Sequence, residues 1–192
     1  MRIVNCIAIT ALSTTAHANL IVNGGFDTFV PLNGTGGGWN ASGNDNLGGW
    51  SASGGNPGAF YALNAGGNFT PDPVLSQTID GLMIGCLYQL TGFYASNILN
   101  NSPGNATDSL VITANSGVIF EAGPTPLGDW RPFTTTFVAD ASSVTITIAA
   151  EANGSDNDFR LDSFSLNLVP SPSSTGVLGL AGLVAARRRR AL

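Results

Sequence analysis

Histidine, lysine and cysteine are nearly missing from this 192-residue chain. There is one histidine, His17, there are two cysteines, Cys6 and Cys86, and all seven basic residues are arginines. His17 and Cys6 lie in an N-terminal stretch with the character of a removable leader, so the mature domain keeps neither. That excludes a histidine general base, a histidine-built triad and histidine metal ligation. Cys86 is left single, with no basic neighbour in sequence to make it a reactive thiolate, and reads as a small, partly buried strand residue. Positive charge is scarce where it would matter. Arg2 and Arg187 to Arg190 account for five of the seven, leaving Arg131 and Arg160, while all 12 acids fall between Asp27 and Asp162. The central region therefore carries 2 − 12 = −10. Such a surface repels nucleic acid, attracts divalent cations and stays soluble. No nucleophile motif, helical period or internal repeat is present in it.

The two ends differ from the middle. Arg2, the apolar stretch Ile3 to Leu12 and the small-x-small triplet Ala16-His17-Ala18 form a signal peptide, with cleavage expected after Ala18. At the other end, Val169-Pro170-Ser171-Pro172 precedes an apolar run, Gly176 to Ala186, and then Arg187-Arg188-Arg189-Arg190. As a helix those 11 residues would be roughly 16 Å long, short against a hydrocarbon core of about 30 Å. The arginine stems can extend the span by snorkelling, and the arginine cluster is expected on the cytoplasmic side. A Pro-containing break, a short membrane helix and a basic stop in this order resemble a PEP-CTERM sorting signal, with Ser171 where the family name places Glu. The resemblance implies an inner-membrane anchor, processing by an exosortase-type enzyme, and delivery to the outer surface or extracellular matrix. The expected organisation is a leader over 1–18, one domain over 19–168 and a sorting tail over 169–192.

The central region reads as all-β. Asn19 to Asp27 is predicted as a first strand closed by a Gly-Gly turn. Residues 33–68 are rich in Gly, Asn and Ser, and form either a binding region or loops with short strands. Six strands follow: Val74–Ile79, Leu87–Ala95, Leu110–Ala114, Phe133–Ala139, Val144–Ala150 and Phe159–Leu168. Val144, Ile146 and Ile148 alternate with Thr145 and Thr147, as does Phe133/Phe137 with Thr134/Thr136, which marks strands buried on one face. Many short antiparallel strands with frequent turn signals predict a β-sandwich of jelly-roll type.

The same layout is similar to galactose-binding-like jelly rolls, especially carbohydrate-binding modules of the family 4/9 type. The matching pieces are Asn19-Leu20-Ile21-Val22-Asn23-Gly24-Gly25-Phe26-Asp27, Leu75-Ser76-Gln77-Thr78-Ile79, Gly85 to Leu90, Trp130-Arg131-Pro132-Phe133 through Phe137, and Leu161-Asp162-Ser163-Phe164-Ser165-Leu166. The resemblance implies polysaccharide binding. It also implies a structural calcium shared by Asp27 and Asp162, to which Asp156, Asn157 and Asp158 could add oxygens; a solvated acidic turn is the alternative. Sugar clefts stack rings on exposed aromatics, so Trp39, set among Gly36, Gly37, Gly38 and Asn40, is the first candidate, with Tyr61 and Tyr94 behind it. Trp50 and Trp130 are expected in the core. Three functions compete: a non-catalytic envelope or matrix protein binding polysaccharide, a structural surface protein without a specific ligand, and a hydrolase on the same scaffold. The missing histidine and lysine weigh against the last.

Overall fold

The computed structural model describes residues 18–44, 48–65, 72–96, 109–126, 128–151 and 157–170, without the side chains of Ala65, Asn157 and Asp158. All regular structure among them is strand: β1 (Gly34–Gly36), β2 (Trp39–Ser42), β3 (Gly49–Gly55), β4 (Gly58–Ala65), β5 (Val74–Asp80), β6 (Leu87–Ser96), β7 (Ser109–Ala114), β8 (Gly117–Ala122), β9 (Arg131–Val138), β10 (Ser143–Glu151) and β11 (Asn157–Leu168). They form two antiparallel sheets, one of six strands in the order β1-β2-β5-β10-β7-β8 and one of five in the order β3-β4-β11-β6-β9. The expected β-sandwich is what the chain adopts. No helix among the described residues is long and apolar enough to cross a membrane. The leader up to residue 17 and the tail from Ser171 onward, with Pro172 and Arg187 to Arg190, lie outside the described residues.

The core lies between the sheets. From one side come Leu75, Ile79, Leu110, Ile112, Val144, Ile146 and Ile148; from the other come Tyr61, Leu63, Tyr88, Leu90, Phe133, Phe159, Leu161, Phe164 and Leu166. Each fully buried Leu, Ile or Phe removes enough apolar area from water to contribute about 1.5–3 kcal/mol. The six expected strands are all present, and Thr134 and Thr136 of β9 and Thr145 and Thr147 of β10 face outward as their alternation requires, while Thr135 points inward and donates to Ile119 O. β11 contains an irregularity between Asp162 and Ser165, with Ser163 at φ 55°. Without it, strict alternation from Leu161 would put Ser163 in the core and Phe164 outside. The bulge shifts the phase by one, so Phe164 and Leu166 regain the buried face.

Three expectations need correction. Asn19 to Asp27 is not a strand: Val22 to Gly25 form a turn, and Asn23 and Phe26 have positive φ. The segment keeps two backbone bonds to β11, Leu20 N–H to Leu166 O at 3.0 Å and Phe164 N–H to Gly24 O at 2.9 Å. Elsewhere asparagine side chains replace the ladder. Asn19 Oδ1 accepts from Ile21 N (3.0 Å) and Leu166 N (2.9 Å), and Asn23 Oδ1 accepts from Thr28 N (2.9 Å). β8 was not anticipated; its six residues follow a turn at Asn115, itself at φ 55°. Cys86 is buried but is not a strand residue, since β6 opens at Leu87; the expectation that it is single rests on loss of the leader, which lies outside the described residues.

Candidate functional site

The bulge in β11 organises the first cluster. Asp162 is 0% exposed. Its carboxylate accepts hydrogen bonds from the Asn56 N–H and from Ser163 N (2.6 Å), and Ser163 Oγ donates to Asn56 O at 3.0 Å. The N-terminal segment is sewn to the same place: Phe164 N donates to Gly24 O (2.9 Å) and Asn19 Nδ2 to Phe164 O (3.1 Å). A Cβ at residue 24 would sit 2.0 Å from Phe164 O, so only glycine allows this approach. Asp27 is thereby carried close enough to act on Asp162 electrostatically. Burial pushes the Asp162 carboxyl above the usual carboxylate range; the Asn56 and Ser163 hydrogen bonds oppose this, and the negative charge of Asp27 adds to it. The charge of Asp27 thus reaches Asp162 although the segment bearing Asp27 is no strand. The Asp158 side chain lies outside the described residues. No group of three or more His, Cys, Asp or Glu side chains poised for a metal occurs among the described residues.

The aromatics expected to stack sugar are placed differently. Trp39 is fully buried, with Nε1 donating to Asn23 O (3.1 Å) and its ring against Phe26 and Phe164 at 5.6 and 6.0 Å. Tyr61 is fully buried too. Its hydroxyl lies 3.0 Å from the Pro31 and Leu32 carbonyls and accepts from Asn44 Nδ2 at 3.2 Å, and burial pushes the phenol well above its usual range. Tyr94 is half-buried at the rim between the sheets, edge-on to Phe120 at 5.8 Å. All three occupy inward positions of the pleat, so Trp39 and Tyr61 have no face to offer a ligand. The glycines around Trp39 signal close approach rather than exposure: Gly37 and Gly38 have φ of 57° and 84° and turn the indole into the core. Trp50 and Trp130, expected inside, are half-buried; Trp50 packs on the core and donates to Phe26 O at 2.6 Å.

The outward face of the five-stranded sheet carries a different set. Trp130 meets Phe60 edge-on at 6.3 Å, and the Arg160 guanidinium lies 4.8 Å from the Phe60 ring centre. Arg160 pairs across the sheet with Ala62 and Ala95. Phe60, Ala62, Asn64 and Ala95 are all buried, so this part of the face is covered, and the Asn64 Oδ1 and Nδ2 atoms have no hydrogen-bond partner. Toward the opposite end the face becomes a field of hydroxyls and amides: Thr91 paired with Thr134 and Ser165, and Gln89 paired with Thr136 and Asn167. With the half-buried Trp130 it offers an aromatic edge and neutral donors and acceptors, which suit a polyhydroxylated ligand. Among the described residues of this face no nucleophile stands beside a base. The sequence signal that could have found it is the alternation of Thr134 and Thr136 with Phe133 and Phe137 on β9.

No family model and no curated protein sequence matches this chain. Solved structures do. The module TmCBM61, determined in complex with β-1,4-galactotriose, aligns with a TM-score of 0.54 and 18% identity over 79% of this chain and 99% of its own. The CBM22-1 xylan-binding domain of Paenibacillus barcinonensis Xyn10C aligns at 0.52 and 15% identity, covering 73% and 91%. The enzymatically active domain of bacteriophage CBA120 tailspike protein 4 aligns at 0.51 and 13% identity, covering 79% of this chain and 21% of that one. The likeness is one of fold: the chain is a jelly-roll sandwich of the kind found in carbohydrate-binding modules.

Proposed function

We propose that the domain is a non-catalytic polysaccharide-binding module, displayed on the outside of a bacterial cell by its PEP-CTERM-like tail. The observation that carries the reading is the row of neutral donors and acceptors open on the outward face of β6, β9 and β11, Gln89, Thr91, Thr134, Thr136, Ser165 and Asn167, with the half-buried Trp130 at its far end. Sugar hydroxyls can both donate to and accept from these groups. Trp130 supplies a ring edge for the apolar faces of pyranoses. The names of similarly folded modules set the first panel, β-1,4-galactan and xylan. Titration calorimetry should show binding that Trp130→Ala weakens at least about tenfold, as loss of an aromatic anchor does. Binding that survives both Trp130→Ala and Gln89→Ala would move the site elsewhere, and no binding across the panel would favour a structural surface protein.

Calcium belongs to the same proposal. Asp27 and Asp162 are carboxylates whose like charges act on one another, and all-oxygen donors of this kind suit a hard cation. Calcium there would neutralise the repulsion and fix the N-terminal segment against β11. Two carboxylates fall short of the six to eight oxygens calcium takes, so the cluster acts with backbone carbonyls and water. Sorting by an exosortase-type enzyme, with residence in the inner membrane beforehand, completes the proposed route to the surface.

A further inference from the structure

Seven large hydrophobic side chains among the described residues are exposed, and five of them gather at one end of the sandwich. Met83 and Ile84 lie in the β5–β6 turn, Leu87 opens β6, Val138 closes β9 and Val118 lies at the start of β8. They are between 39% and 61% exposed. Leu87 and Val138 are cross-strand partners. The turn before them is rigidly held: Met83 N donates to Tyr88 Oη (2.9 Å), Cys86 N to Met83 O (3.1 Å), and Gly85 N to Ala139 O (2.7 Å). Exposure here is therefore a built feature of a well-bonded turn. The β7–β8 and β9–β10 turns share this end, since Asn115 bonds both Thr145 and Asp140.

The chain leaves the domain at the same place. Val169 N donates to Leu87 O at 2.9 Å. Six residues, Pro170 to Thr175, then separate Val169 from the apolar run Gly176 to Ala186 and its four arginines. Fully extended, six residues reach about 20 Å. An apolar segment entering a bilayer would hold this end within that distance of the headgroups. We infer that the Met83/Ile84/Leu87/Val138/Val118 end is a lipid-contacting surface, seated on the bilayer by the tail and adding its own apolar area to the anchor. The inference rests on the reading of residues 176–186 as membrane-seeking. Two signals hold better than one, and a run of 11 residues is short by itself.

The test uses the full chain with methyl-labelled Ile, Leu and Val in phosphatidylcholine nanodiscs doped with nitroxide-labelled lipid. This zwitterionic lipid is chosen because Asp80 and Asp140 border the patch. The methyls of Ile84, Leu87, Val118 and Val138 should broaden strongly, whereas Val74, at the far end of β5 and roughly 20 Å away, should not. Ile84→Asn with Val138→Asn, both at exposed positions compatible with folding, should lower partition onto phosphatidylcholine vesicles about tenfold. Nanodisc-bound protein with equal, weak broadening at both ends would overturn the inference while leaving the tail reading intact. Failure of the full chain to bind lipid at all would overturn both. Patch methyls protected without lipid, in a concentration-dependent way, would assign the surface to a second copy instead.

Discussion

Gly24 and Gly25 are neighbours in one turn, yet alanine should have opposite consequences at the two. At Gly24 a Cβ would lie 2.0 Å from Phe164 O and 2.9 Å from Phe164 C. Both atoms are backbone, at the bulge that sets the phase of β11, so neither can swing aside. The turn must retreat by about 1 Å or more to reach ordinary contact, and the 2.9 Å bond from Phe164 N to Gly24 O goes with it. A buried N–H left without a partner costs about 1–3 kcal/mol. The retreat also loosens Phe26, fully buried and in ring contact with Trp39, Tyr61 and Phe164. A partial loss of that packing adds about 1 kcal/mol, against about 3–5 for complete removal of a core Phe. Gly24→Ala should therefore lower unfolding free energy by about 2–4 kcal/mol. At Gly25 the added Cβ meets only Asp27 Oδ2 at 3.5 Å, an ordinary contact, so Gly25→Ala should stay within about 0.5 kcal/mol. Urea denaturation reads both. With a slope of about 2 kcal/mol per molar, the Gly24→Ala midpoint falls by about 1–2 M and that of Gly25→Ala barely moves. Equal midpoints for the two variants would refute the claim that this turn is clamped on the bulge, and with it the account of why Asp27 faces Asp162.

Three further outcomes follow from the same geometry. Because burial raises the Asp162 pKa in the folded state, the native protein takes up this proton at higher pH than the unfolded chain. The stability it contributes is full below the ordinary Asp pKa of about 3.9 and is lost as pH rises through the native pKa. Calcium favours the ionised form, so it should raise the melting temperature above that transition and not below it; Asp162→Asn should flatten the pH dependence and abolish the calcium response, and a calcium effect that persists in the variant would sink the metal assignment. Asn64→Leu removes an unpaired buried amide, so it should raise stability by about 1 kcal/mol; a loss of stability would show that the amide is satisfied in solution. Tyr61→Phe deletes a buried hydroxyl held by Pro31, Leu32 and Asn44, and should cost about 1–2 kcal/mol with glycan affinity unchanged; altered affinity would return Tyr61 to the binding face.

Strands with a clean two-residue period were legible from residues alone. Val144, Ile146 and Ile148 announce β10, and all six strands expected after residue 74 exist. What could not be read was the direction in which each aromatic points where that period fails. Trp39 stands among glycines, and glycine-rich surroundings suggest a loop. Here Gly37 and Gly38 instead bend the backbone so the indole enters the core. Phe164 is misassigned by simple alternation because a bulge at Asp162–Ser163 precedes it, and nothing in Ser163 itself announces a positive φ. The first segment failed for a related reason. Leu20-Ile21-Val22 has strand propensity, yet Asn19 and Asn23 satisfy the nearby N–H groups locally and Gly24 must pass against Phe164. Asp27 and Asp162 were legible only through family likeness, since 134 residues separate them in the sequence.

The two proposed surfaces stand in a definite relation along the strands. β6 and β9 pair from Leu87–Val138 at one end to Tyr94–Arg131 at the other. Seven residue steps of about 3.3 Å each put roughly 23 Å between the exit end and Trp130, which immediately precedes Arg131. An anchor at the first end would thus present Trp130 away from the bilayer, with the polar field of Gln89, Thr91, Thr134 and Thr136 between. A polysaccharide lying along this face could run from the membrane outward without meeting the lipid. The arrangement also separates the two losses of function. Substitutions at Ile84 and Val138 should change lipid partition and leave glycan affinity alone, while those at Trp130 and Gln89 should do the reverse. Coupling between the two sets, measured as a lipid effect of Trp130→Ala beyond twofold, would mean that one surface serves both purposes.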